Sequence, residues 1–149
     1  MKSVHKSVLV PYSPVEMFEL VSHVPDYPRF LPGCSFARVL QTLPEGGKIA
    51  EVGMGLGGLQ QSFVTRNVER HGQCIDMRLV RGPFSDLQGQ WRFDEVENDN
   101  AQSCRVELDL TYRFSNFLLA RLVGPVFDTM AATLVDAFRQ RARQVYGVR

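Results

Sequence analysis

Val52-Gly53-Met54-Gly55-Leu56-Gly57-Gly58-Leu59, VGMGLGGL, puts four glycines in six consecutive positions. Such a run belongs to one of two architectures. Between a strand and a helix, its amides cradle the phosphates of a dinucleotide in a parallel α/β sheet. Between two strands, the glycines only let an antiparallel backbone turn and bulge. The residues that follow, LQQSFVTRNVER, are rich in β-branched and aromatic side chains and form no stripe of helical spacing. The run therefore joins strand to strand, and the dinucleotide reading fails. One functional role remains for it, a flap over a cavity mouth, since glycine-rich connections have low local stability.

Working outward, turn clusters recur about every twelve residues from Ser35 to Phe114, an antiparallel meander signature. They are Pro44-Glu45-Gly46-Gly47, the glycine run, His71-Gly72, Arg81-Gly82-Pro83 and Glu97-Asn98-Asp99-Asn100. Arg105–Phe114 is the clearest strand between them. Val106, Leu108, Leu110, Tyr112 and Phe114 alternate with Arg105, Glu107, Asp109, Thr111 and Arg113, so one face is apolar and the other wet. CIDMRLV repeats the alternation through Ile75, Met77 and Leu79, and WRFDEV does so more weakly.

Helices flank the meander. Ser13-Pro14-Val15-Glu16 is a capping box with proline at the first helical position, and it predicts a short helix over Pro14–Ser22. In VPDYPRFLPG three prolines permit one short helical turn at most. After the meander, Ser115 or Asn116 can cap a short segment ending at Gly124, and Pro125 restarts a longer helix to Tyr146. On that helix Phe127, Met130, Ala131, Leu134, Phe138, Ala142 and Val145 share one stripe. At ~1.5 Å per residue it is ~33 Å long, enough to lie along a ten-residue strand at ~3.3 Å per residue. The expectation is a single α+β domain over residues 1–149, a curved antiparallel sheet gripping a long C-terminal helix.

A chain of 149 residues, 44% hydrophobic, can bury a real core without disulfides or metal. A net charge of +1 gives no global field for nucleic acid, and DNA is not an expected partner. Cys34, Cys74 and Cys104 are odd in number, far apart and in no C-x-x-C pair, so they read as reduced thiols of a cytoplasmic protein. The N-terminal residues lack a signal-peptide pattern, and no apolar run approaches the ~18 residues of a membrane span. At most, contact with a membrane is peripheral.

Catalytic signatures are not visible. His5, His23 and His71 have no metal-ligand spacing, and the cysteines have no recognisable activating neighbours. Asp76, Asp86, Asp94 and Asp109 show no paired carboxylate. Arg141 breaks a pattern, lying about 40° from the centre of the apolar stripe. It either snorkels past the sheet edge near the helix C-terminus or anchors a ligand head group at the mouth of an apolar cavity.

Four stretches carry a family resemblance: VPYSPVEMFELVSHVPDYPRFLPGC (Val10–Cys34), SFVTRN (Ser62–Asn67), RGPFSDLQGQWRF (Arg81–Phe93) and LDLTYRFSNFLLARLVGPVFDTMAATLVDAFRQRARQVY (Leu108–Tyr146). The sequence resembles the coenzyme Q-binding START-like proteins, grouped with polyketide cyclases and dehydrases, and is especially similar to their ribosome association toxins. It is weakest across Gly55–Gly58, where relatives carry a lysine or other polar residues.

The resemblance implies a helix-grip fold with a hydrophobic tunnel between sheet and long helix, and two short N-terminal helices. It implies a non-catalytic protein that binds ubiquinone or a similar isoprenoid lipid and supports respiration, with no required cofactor. Leu31, Phe63, Phe84, Trp91, Leu110, Tyr112, Phe127, Met130 and Leu134 are the candidate lining, with Arg141 as the polar contact; plain core packing competes for each. Fifteen tail carbons at ~0.8 kcal/mol each, less ~4 kcal/mol for association, allow micromolar binding at best. An alternative is a toxin that binds the large ribosomal subunit and blocks subunit association, with Arg139 and Arg143 as an exposed basic face. A cyclase or dehydratase is the third reading and needs an acid/base pair inside the cavity.

Overall fold

The computed structural model describes residues 1–56, 59–96 and 103–149, with backbone alone at 56 and 59. The strands are β1 (Lys2–Val10), β2 (Cys34–Thr42), β3 (Gly47–Leu56), β4 (Leu59–Arg70), β5 (Cys74–Arg81), β6 (Phe84–Val96) and β7 (Ser103–Phe114). They form one antiparallel sheet in the order β1-β7-β6-β5-β4-β3-β2. Helix α1 (Pro14–Ser22) and a 3₁₀ helix (Val24–Arg29) connect β1 to β2, and α2 (Phe117–Tyr146) follows β7 and packs on the sheet. This is the helix-grip arrangement.

The glycine question resolves as strand to strand, because β3 and β4 pair antiparallel out to Leu56 opposite Leu59. Gly57, Gly58 and the expected turn at 97–100 lie outside the described residues. Gly53 is not in a turn at all: it sits within β3, where a Cβ would come 2.3 Å from the Phe36 ring on β2. The absence of a side chain lets that ring lie against the strand.

The alternation in β7 is as expected, with Cys104, Val106, Leu108, Leu110, Tyr112 and Phe114 buried. β1 was not legible. It is an edge strand with one fully buried residue, Val10, and its inward face is broken by the exposed Lys6. The 3₁₀ helix runs six residues, two turns at three per turn, longer than the single turn expected.

The expected break at Gly124-Pro125 does not occur, and α2 is one helix of 30 residues capped by the Asn116 side chain, which accepts from the Leu119 amide at 2.9 Å. Proline removes only the hydrogen bond to the Arg121 carbonyl, four residues back. Arg121 is exposed, so water can take that carbonyl. Val123, Phe127, Met130, Ala131, Phe138 and Ala142 are buried along one stripe, whereas Val145, expected on it, is exposed because the sheet ends before that turn. Contrary to the sequence expectation, α2 holds an 18-residue window apolar enough to cross a membrane. Its buried stripe packs on the sheet instead.

The C-terminal residues are clipped onto α1. Tyr12 donates to the Gly147 carbonyl at 2.6 Å, Tyr146 donates to the Glu16 carbonyl at 3.0 Å, and Arg149 forks onto the Glu16 carboxylate at 2.6 and 2.8 Å. Glu16 also caps its own helix through the Ser13 amide, and Ser13 returns the bond. The Arg149 hydrogen bonds outweigh desolvation and lower the Glu16 pKa. A carboxylate with a depressed folded pKa stabilises above its unfolded value, and that stability is lost as pH falls through the folded value. On acidification from about pH 5 to about pH 3, wild type should therefore lose more stability than Glu16→Gln, which keeps the capping box. Thermal melts at the two pH values measure this, and with a partly exposed pair the difference should stay below about 1 kcal/mol.

Candidate ligand cavity

A period-two strand sends every second residue to the concave face, so β4 aims Phe63, Thr65 and Asn67 inward together. Ala50 and Val52 of β3, Met77 of β5, Leu87 and Trp91 of β6 and Leu110 of β7 extend the same wall. Across from them α2 contributes Phe127, Met130, Ala131, Leu134 and Phe138, while Val24, Tyr27 and Leu31 close the side. The enclosed space is about 70 Å³. It is the volume of two or so waters at ~30 Å³ each, smaller than the fifteen-carbon tail considered from sequence.

Seven of the candidate residues meet here: Leu31, Phe63, Trp91, Leu110, Phe127, Met130 and Leu134. Phe84 and Tyr112 do not; they form the layer behind, with ring centroids 4.7 and 4.6 Å from that of Phe127. The Tyr112 hydroxyl is spent on Asp128 at 2.6 Å, and its pKa is raised chiefly by burial. Arg141 is also absent from the lining. Its guanidinium lies 5.3 Å from the Phe30 ring centre and donates to Gln144 at 3.3 Å. Phe30 in turn packs on Phe138 at 5.1 Å, so Arg141 covers the outside of the aromatic wall, which is the snorkelling alternative.

The polar contact missed from sequence is the pair Thr65 and Asn67, both buried. Thr65 Oγ1 donates to Asn67 Oδ1 at 2.8 Å. The Asn67 NH₂ group then has protons to give. No sealed side-chain nitrogen or oxygen among the described residues lacks a partner. The signal was present in SFVTRN, where the inward positions read Phe, Thr, Asn.

Polarity continues beyond Asn67. Lys48, opposite it on β3, reaches Glu69 at 3.1 Å and the Ser22 carbonyl at 2.7 Å, and Ser22 Oγ donates to Glu69 at 2.9 Å. The Tyr27 hydroxyl donates to the Val21 carbonyl, and burial pushes its pKa well up. The cavity thus has a polar end at Asn67 and an apolar end at Phe63 and Phe127, whose ring centroids are 5.6 Å apart.

Among the described residues lining the cavity there is no carboxylate, histidine or cysteine. Burial pushes the Cys34 and Cys104 thiols up to about 11 and about 12, so both stay protonated. Among the described residues no cluster of three or more His, Cys, Asp or Glu could hold a metal ion. The arrangement can enclose an apolar molecule and offer it hydrogen bonds at one end. The expected basic face is on the surface: Arg139 is held by Asp136 at 2.6 Å, and Arg143 is exposed.

A sequence model of the family described as polyketide cyclase/dehydrase and lipid transport matches residues 10–139. The chain is similar to the ribosome association toxin RatA of Pseudomonas aeruginosa, with 42% identity over 144 residues covering 97% of each chain. It is also similar to the mitochondrial coenzyme Q-binding protein COQ10 homolog B of Xenopus laevis, with 25% identity over 147 residues, 95% of this chain and 58% of that one. The crystal structure of TTHA0849 from Thermus thermophilus superposes with a TM-score of 0.76 over 96% of this chain and 98% of the other, at 16% identity, a likeness of fold.

Proposed function

Because the chain belongs to the polyketide cyclase/dehydrase and lipid transport family, we propose that it is a non-catalytic binding protein whose cavity takes an apolar, quinone-type ligand and so supports respiration. The observation that carries this reading is the Thr65–Asn67 pair at one end of an otherwise apolar cavity. A quinone ring has carbonyl and methoxy acceptors and no charge, which suits the Asn67 amide donors. Beyond the ring, an isoprenoid tail runs toward Phe63 and Phe127. Entry requires the wall to widen from its closed volume, and Met77 and Met130 are the adaptable side chains placed to let it do so. The similarity to a coenzyme Q-binding protein supports this ligand class. Mass spectrometry of organic extracts from the native purified protein tests it. A stoichiometric isoprenoid quinone is the expected result, and extracts free of any apolar ligand count against the reading.

Identity of 42% over nearly the whole chain to a ribosome association toxin favours a second reading, in which the cytoplasmic protein binds the large ribosomal subunit and blocks subunit association. Sucrose-gradient sedimentation with purified subunits separates the two: a ribosomal role requires comigration with the large subunit and fewer joined ribosomes. The cyclase or dehydratase reading has no acid/base pair among the described residues of the cavity wall to support it.

A further inference from the structure

We propose that the first turns of α2, carrying Phe117, Leu118, Arg121 and Leu122, form a docking surface for an anionic phospholipid bilayer. Large apolar side chains open to solvent are unusual when they cluster. Here Phe117, Leu118 and Leu122 are 76%, 65% and 50% exposed. With successive helical residues ~100° apart, these three and Arg121 occupy one arc, opposite the arc of the buried Val123, Gly124 and Phe127. Only 39% of the most apolar window of α2 is buried, so the helix carries more apolar surface than the sheet covers.

Charge selects the partner. Between Asp109 and Asp128 the chain has no acidic residue and two cations, Arg113 and Arg121. Asp128 itself is engaged by Lys2 and Tyr112. Arg121 lies 5.7 Å from the Phe117 ring centre, so an apolar insert and a cation sit side by side. Inserted apolar side chains beneath a cation at headgroup level are the arrangement of an interfacial helix. Nucleic acid offers phosphates but nothing that buries Leu118 and Leu122.

Along α2 the surface lies N-terminal to Phe127, which lines the apolar end of the cavity. Docking there aims the tail end of the cavity at the bilayer. The proposal rests on the lipid reading of the cavity for its purpose, but its test does not depend on that reading.

The test is flotation of the full chain with quinone-free vesicles of phosphatidylcholine, with and without phosphatidylglycerol, at low and high salt. Wild type should float with the anionic vesicles and lose most binding at high salt. Leu118→Ser/Leu122→Ser should reduce bound protein at least about tenfold at an unchanged melting temperature, both sites being exposed. Arg121→Glu should lose the preference for phosphatidylglycerol. The proposal is overturned if wild type stays unbound, or if the double variant floats equally well. It is also overturned if the chain is a dimer without vesicles and the double variant a monomer, which makes the patch a self-interface. Trp91 fluorescence with a short-tailed quinone in vesicle-free buffer reports the cavity separately, so failure of docking and failure of the ligand reading are distinguishable.

Discussion

Phe138→Ala is expected to lower the unfolding free energy by about 3–5 kcal/mol, because a fully buried ring leaves a void that its neighbours cannot fill. Phe138 is 1% exposed and meets three other rings, Tyr27 at 5.4 Å, Phe30 at 5.1 Å and Trp91 at 5.4 Å. Those rings belong to the 3₁₀ helix, the residue just after it, and β6, so one side chain of α2 ties three parts of the fold. The corresponding fall in melting temperature is roughly 10 °C for a domain of this size. A thermal melt followed by circular dichroism measures it. An unchanged midpoint would mean that α2 presents a different face to the sheet.

Thr65→Val/Asn67→Leu is expected to leave stability nearly unchanged and to weaken quinone binding about tenfold or more. Removing both partners of a buried hydrogen bond for apolar groups of similar shape is close to neutral, whereas losing the contact to a ligand costs ~1–1.5 kcal/mol or more. The affinity is what separates a ligand contact from a structural one. A purely structural pair would leave the affinity as well as the melt unchanged, and titration of wild type and variant with a short-tailed ubiquinone decides between them.

Local chemistry made much of this fold readable. The Ser13/Glu16 capping box and the alternation of β7 each arise from neighbours in sequence, and both appear where the pattern places them. Edge strand β1 was illegible because pairing with β7 determines it, not a buried face of its own. Pro125 misled because a helix packed along a sheet tolerates one lost hydrogen bond at an exposed carbonyl.

At the site, periodicity gave the face but not the depth. Phe84 and Tyr112 point to the same side as Trp91 and Leu110, yet they stand behind Phe127. Arg141 drew attention by charge, and its reach took the guanidinium outside over Phe30. Asn67 and Thr65 were overlooked because polar residues in a strand ordinarily face water.

The central claim is that the cavity is a ligand site and not a packing defect. Trp91 is the sole tryptophan, 2% exposed and part of the cavity wall, so its fluorescence reports occupancy directly. Titration with ubiquinones of increasing tail length should give saturable quenching at one site, tightening as the tail lengthens. Fluorescence unchanged up to the solubility limit of each quinone would contradict the account.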